Sequence, residues 1–241
     1  MKKMMGETGV FGVMTSGAST AALLSLLPVI ESLIGRPVML LSRSVGVGDS
    51  YIPNRLKRGE VADIVIVADD LLQQCIADGL VLAGSRMPLV QSLIGMAVRA
   101  GAAQPDIQSM DAFKRTLLDA SSIAYSASVS GQYLAQELWP RLGIADAVLP
   151  KARCVGDERI GAVVARGEVE IGFEQMSELL PVPGIAHVTP LPPEAQKVTL
   201  FSGAVATSSP DPDAARRVLQ FLRSSQAHTA ITASGLLPVD H

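Results

Sequence analysis

The sequence predicts an α/β fold of two similar lobes with a ligand cleft between them. Three observations carry that expectation. Short apolar runs alternate with helical stretches, the run Asp63–Val67 is fully apolar after its first residue, and two turn patterns each occur twice. A β-α-β-α order with apolar runs calls for a largely parallel sheet covered by helices.

In chain order, Val10–Met14 reads as a strand. A helix follows from Ser19 to Ile34, with Ser16 or Ser19 as its N-cap. Pro37–Leu41 is the next strand, and a Gly/Ser-rich loop from Ser42 to Ser50 leads into a short helix through Leu56. Asp63–Val67 fits a buried parallel strand and Asp69–Ala77 a helix. A second series begins at the strand-like Ser92–Val98. It continues with helix Met110–Ala120, strand Ile123–Ser126, helix Gly131–Leu142, helix Arg159–Arg166 and strand Val169–Phe173. Val198–Ala206 is a late strand, and Pro212 to Ser234 a long terminal helix striped by Ala215, Leu219, Leu222 and Ala230.

The repeated turns argue for two lobes. Arg58-Gly59-Glu60-Val61 precedes one buried strand and Arg166-Gly167-Glu168-Val169 another, each with a glycine where a helix must end in a left-handed turn. Thr15-Ser16-Gly17-Ala18-Ser19-Thr20 and Ser126-Ala127-Ser128-Val129-Ser130-Gly131 both join a strand to a helix through hydroxyls and small residues. The expected division is 8–88 with 199–241 as lobe one and 89–198 as lobe two. The late strand returns the chain to the first lobe.

Composition narrows the function. Hydrophobic residues make up 48% of 241 and charged residues 18%, enough to bury a large core. A formal net charge of -3 argues against a protein that lives on nucleic-acid phosphates, and 4% aromatics against base stacking. Two cysteines, Cys75 and Cys154, and three scattered histidines offer no metal site, so neither metal nor cofactor is expected. Apolar stretches such as Ala21–Ile34 are interrupted by Ser25, Pro28 and Glu31, and no membrane insertion is expected. The start of the chain has no leader pattern. It is therefore expected in the cytoplasm, or in the periplasm if a leader was removed.

The two hydroxyl-rich turns are the main chemical signal. A helix N-terminus presents free N–H groups and the positive end of its dipole, so an anion can be held without a cationic side chain. Plain N-capping accounts for one such turn; two matched turns, with the Ser42–Ser50 loop, favour a bound anion. Gly46-Val47-Gly48 lacks the third glycine of a dinucleotide turn, and Ser16 lacks the frame of a nucleophile elbow. Cys75, with Leu72 and Ile76, reads as core. Asp157-Glu158-Arg159 precedes a helix, and Glu174-Gln175 follows a buried strand at the carboxyl end where open α/β sheets bind ligands.

The stretch Gly59-Glu60-Val61-Ala62-Asp63-Ile64-Val65-Ile66-Val67-Ala68-Asp69 resembles the periplasmic molybdate-binding protein family, on the type II periplasmic-binding-protein fold. That resemblance implies two α/β lobes joined by crossover strands. It implies a small anionic ligand held by Ser16, the Ser44–Ser50 loop (Ser44 and Ser50), the backbone of Ala68, and Ser126, Ser128 and Ser130; the first hydroxyl-rich turn itself adds Gly17 and Ser19 as candidates. The departures point to a divergent branch of the fold, one that includes bacterial aconitate isomerase. Met14-Thr15-Ser16-Gly17 replaces the family's alanine run, and Phe173-Glu174-Gln175 stands where an oxyanion-binding tyrosine is expected. A carboxylate there repels molybdate.

Two functions remain open. One is an isomerase that shifts a proton on an unsaturated polycarboxylate, with Glu174 or Glu158 (less so His187) as base and Arg159 or Arg55 holding a remote carboxylate. The other is a solute receptor for an oxyanion or carboxylate, whose partner would be the permease of an ABC-type transporter.

Overall fold

The computed structural model describes residues 9–44, 46, 48–156 and 158–239; the side chain of His187 also lies outside the described part. The chain forms β1 (Phe11–Thr15), α1 (Gly17–Ile34), β2 (Val38–Ser42), α2 (Ile52–Lys57), β3 (Ile64–Ala68), α3 (Asp69–Ala77) and β4 (Met87–Ser92). It then crosses to β5 (Ile94–Arg99), α4 (Met110–Asp119), β6 (Ile123–Ser126) and α5 (Val129–Tyr133). A π-helical turn (Leu134–Leu138) continues into α6 (Trp139–Arg141), followed by α7 (Ala145–Val148) and β7 (Ala152–Val155). After α8 (Ile160–Ala165), β8 (Ile171–Gln175), α9 (Met176–Leu179) and β9 (Ile185–Pro190) the chain returns through β10 (Thr199–Val205). It ends with α10 (Pro212–Arg223), α11 (Ser225–Ala233) and β11 (Leu237–Pro238).

There are two sheets, one per lobe. The first has the order β11-β4-β10-β3-β1-β2 and the second β7-β6-β8-β5-β9. In each, three strands run parallel and the crossover strands pair antiparallel: β10 with β3 and β4, β5 with β8 and β9. The first core packs Phe11, Val13, Ile64 and Ile66 against Leu23, Leu26 and Ile30 of α1 and Val218, Leu219 and Leu222 of α10. The second gathers Phe113, Phe173, Tyr133 and Trp139, with Phe113 and Phe173 edge-to-face at 6.2 Å. The π turn lies one residue before Trp139-Pro140. A wider turn relieves the clash a proline ring makes with the carbonyl four residues back.

The seam between the lobes is tied at the crossovers. Leu93 separates β4 from β5, and its carbonyl accepts the Met176 N–H at 2.9 Å. Gln196, on the return crossing, grips the backbone of Ile94 at both ends: its Oε1 accepts the N–H at 2.8 Å and its Nε2 donates to the carbonyl at 3.0 Å.

Several expectations need correction. The boundary between residues 88 and 89 falls inside β4, which belongs to the first sheet. The strand expected at Ser92–Val98 is β5, starting at Ile94; Ser92 instead ends β4 of the first sheet, and Leu93 makes the crossing. The terminal helix is two helices, since Ser224 is extended (ψ 158) and its hydroxyl bonds the Phe221 carbonyl at 2.7 Å. The buried stripe of α11 is accordingly Ala227 and Ile231 rather than Ala230. β4, β7, β9 and β11 have no counterpart in the expected elements. The first helix runs 18 residues, so by length and composition it is capable of crossing a membrane, contrary to the expectation from its interruptions. Here one face of it, Ala18, Ala22, Leu23, Leu26 and Ile30, lies in the core. Gly59 and Gly167 both adopt the left-handed conformation expected of them (φ +83° and +74°).

Asp63 anchors the first lobe. It is 1% exposed and accepts the Gly12 N–H at 2.8 Å and the Ser209 hydroxyl at 2.9 Å, with Arg36 at 3.7 Å. Asp63→Ala strands a buried N–H and part of a cation, so it should cost about 3 kcal/mol in urea unfolding. A loss under about 0.5 kcal/mol would contradict this account of the anchor.

Candidate functional site

In lobe one β1 ends at Thr15 and α1 begins at Gly17, so Ser16 takes the N-cap position with extended backbone (φ -71°, ψ 165°). Its N–H is fixed to the Ile66 carbonyl at 3.0 Å. Its hydroxyl does not cap the helix. The Ser16 and Ser19 hydroxyls are both buried and have no protein partner, an arrangement that costs free energy unless something else satisfies them. The first turn of α1 carries no acidic side chain of its own.

In lobe two β6 ends at Ser126 and α5 begins at Val129. The hydroxyls of Ser126, Ser128 and Ser130 form a closed group, Ser126 to Ser128 at 2.6 Å and each of these to Ser130 at 3.2 Å. Tyr125 pairs with Phe173 across the parallel β6 and β8, so one residue further along Ser126 stands beside Glu174. Glu174 is 4% exposed and its Oε2 has no partner. Burial, and then the charge of Glu178, push its carboxyl well above the usual carboxylate range. Arg159, at the N-cap of α8, and the backbone N–H groups of Ile160 and Gly161 oppose that shift.

α9 follows β8 directly and lies against α1 across the seam. It carries Glu178 onto the start of α1. A Cβ added to Gly17 would lie 1.9 Å from Glu178 Oε2, so the carboxyl occupies the space that only glycine leaves open. Glu178 retains some solvent exposure but is surrounded by protein at depth; burial pushes its carboxyl up to about 7, against the pull of Arg159. The seam thus holds two carboxyls with raised proton affinity, one guanidinium acting on both, and hydroxyls from both lobes.

The structure gathers only part of the expected set. Gly17, on the turn that also carries Ser16 and Ser19, meets Glu178 of lobe two; Ser126, hydrogen-bonded to Ser128 and Ser130, is one strand over from Glu174, and Arg159 acts on Glu174. Ser44 and Ser50 are exposed. The Ser42–Ser50 loop starts beside α1, where Thr20 Oγ1 donates to the Arg43 carbonyl at 3.4 Å; Val45 and Val47 lie outside the described residues. Ala68 is half-buried at the N-cap of α3. Glu158 is corrected as a base: it is exposed and ion-paired to Arg166 at 2.8 Å. Arg55 is likewise committed elsewhere, to Glu60 at 2.7 Å and the Leu41 carbonyl at 3.1 Å. Asp157 and the His187 side chain fall outside the described part. Cys75 is core, and burial pushes its thiol up to about 11. Among the described residues no group of three or more His, Cys, Asp or Glu side chains is placed to hold a metal ion. Glu178 was missed by the sequence reading. Its signal was a second acid one turn beyond the strand end that carries Glu174.

Comparison with known proteins bears on this seam. The sequence profile of bacterial extracellular solute-binding proteins matches residues 44–237. Aconitate isomerase of Pseudomonas sp. is 46% identical over 228 residues, covering 94% of this chain and 87% of that protein. Among solved structures, the periplasmic molybdate-binding protein of Azotobacter vinelandii superposes with a TM-score of 0.75 at 17% identity, over 95% of this chain and 100% of that one. The substrate-binding domain of a putative molybdenum ABC transporter from Clostridium difficile gives 0.69 at 18% identity, over 96% and 99%. Peb3 from Campylobacter jejuni gives 0.71 at 12%, over 96% and 100%. At such identities these structures establish the two-lobed periplasmic-binding-protein fold and nothing about ligand. With the profile spanning most of its length, the chain belongs to the bacterial extracellular solute-binding protein family.

Proposed function

We propose that the protein binds a small polycarboxylate between its lobes and interconverts trans- and cis-aconitate by an allylic proton shift. The observation that carries this is the buried Glu174 carboxyl with one oxygen unpartnered, in a seam where Ser16 and Ser19 also lack partners. The 46% identity to an aconitate isomerase supports the substrate class.

The chemistry follows from the groups present. A base removes a proton from the methylene of the substrate, and the electron pair spreads over the allyl carbons and the neighbouring carboxylate. Return of a proton to the former vinyl carbon completes the shift. Glu174 serves as the base. A carboxyl of ordinary pKa is a weak base for a carbon acid, and burial strengthens it. The hydroxyls of Ser16, Ser19, Ser126, Ser128 and Ser130, with the N-terminus of α1, supply donors to the developing charge. The Ala68 backbone allows close approach, Gly17 leaves the room that the Glu178 carboxyl fills, Ser44 and Ser50 line the mouth, and Arg159 holds a remote carboxylate.

A second reading is a non-catalytic receptor that delivers the same ligand, or an oxyanion, to the permease of an ABC-type transporter. It is supported by the family match and by the likeness to a transporter's substrate-binding domain. Either activity belongs in the periplasm, as the family's extracellular character suggests.

Incubated with trans-aconitate and followed by chromatography, the protein should approach one equilibrium mixture from either isomer. Tight binding with no conversion would leave the receptor reading in its place. Ser16→Ala and Ser128→Ala should each weaken aconitate binding by about 1–2 kcal/mol in titration calorimetry, and unchanged affinity in both would remove the serines from the site.

The raised carboxyls also set a pH dependence. A carboxyl whose pKa is raised on folding binds more protons folded than unfolded between the two values, so stability falls as pH rises through that window. For Glu178 the window runs from the ordinary 4.5 to about 7. The ligand-free melting temperature should therefore decline between about pH 5 and 7.5, and Glu178→Gln should flatten the decline. An identical slope in the variant would show that Glu178 titrates normally.

A further inference from the structure

Glu178 has no part in the reaction as described so far, and its surroundings are unlike those of a surface glutamate. The three atoms nearest a Cβ built on Gly17 all belong to it: Oε2 at 1.9 Å, Cδ at 2.6 Å and Oε1 at 3.1 Å. It therefore reaches from α9 of one lobe onto the first turn of α1 in the other. The hydroxyls of Ser16 and Ser19 at that turn are buried and unpartnered. Glu174 feels its charge, and Arg159 acts on both carboxyls. Two carboxyls that share one enclosure and one guanidinium tend to hold a proton in common, because ionising both at once is costly.

We propose that Glu178 is the second acid–base group of the proton shift, working with Glu174 as a pair, and that Gly17 is the positioning residue that admits it. This rests on the aconitate reading. In the forward direction one carboxylate takes the methylene proton: a C–H bond breaks and an O–H bond forms. The other, protonated, carboxyl gives its proton to the former vinyl carbon: an O–H bond breaks and a C–H bond forms. The pair finishes with its proton on the opposite member, and exchange between the two carboxyls or with water restores the start. No oxidant, reductant or co-reactant enters. A pair can remove the proton and return one without either carboxyl having to move between the two ends of the allyl unit, as a single base must.

Glu178→Gln keeps the shape and removes the ability to accept a proton. Isomerisation of trans-aconitate should fall at least roughly 100-fold, while affinity for trans-aconitate stays within about threefold of wild type. Gly17→Ala should lose activity to a similar degree, because its methyl group displaces Glu178. As a control on folding, Gly17→Ala should lower the melting temperature in the wild-type background and leave it unchanged in a Glu178→Ala background, where the space is free. Glu178→Gln turning over within about threefold of wild type, while Glu174→Gln is inactive, overturns the pair and leaves the single-base reading intact. A fully active Gly17→Ala overturns the positioning role. If the wild-type protein binds aconitate and never converts it, both readings fall together.

Discussion

Two carboxyls held in the seam between the lobes, with Arg159 acting on both, impose a cost that the surrounding structure has to meet. An ionised carboxylate out of water is stable only with close donors or a counter-charge, and otherwise keeps its proton. Here both compensations are incomplete. Glu174 Oε2 has no protein partner, and the hydroxyls of Ser16 and Ser19 across the seam have none. Such a surplus of unused polar atoms is what a site for a polar ligand looks like before the ligand arrives. The crossovers locate it: Leu93 and Gln196 fix the approach of one sheet to the other, and β8 leads straight into α9, which reaches over to α1.

The local architecture explains why neither lobe suffices. Each turn supplies a free helix start and hydroxyls, which suit an anion; neither supplies a base aligned with them. The carboxyl proposed as the base lies on β8, beside Ser126, and the second carboxyl on the helix after it. A solute-binding fold already gathers donors from two lobes around a small anion. Adding proton transfer to it takes carboxyls whose proton affinity is raised, and enclosure in the seam provides that. The receptor and isomerase readings thus differ by the chemistry of two side chains, on one scaffold.

Much of the architecture was legible in sequence because it rests on local signals. The apolar run after Asp63, the glycines at 59 and 167, and the paired Ser/Gly turns each mark a strand end or helix start by its own chemistry. Elements decided by distant packing were not legible. β4 does not read as a strand at all, and Ser92 at its end reads as part of the strand that follows the crossing at Leu93; Ser224 breaks a helix whose apolar pattern continues through it. The site divides in the same way. Ser16, Ser126 and Glu174 sit at strand ends that sequence can find. Glu158 and Arg55 looked equally available, but each has an ion-pair partner that only the folded chain brings within reach. Glu178 depends on a contact between residues far apart in sequence; its traces were a second acid one turn beyond Glu174 and a glycine where α1 starts.

The central claim is that the cleft moves a proton along an allylic carbon skeleton, and an isotopic carbon label at the methylene position of trans-aconitate reads this without reference to proton exchange. A proton shift exchanges the identities of the two outer carbons, so the account predicts that the cis-aconitate formed by the protein carries the label at its vinyl carbon, seen by carbon NMR. A label that remains at the methylene carbon of the product would mean that the isomers interconvert by rotation about the original double bond, and would contradict the acid–base role assigned to the carboxyls in the seam.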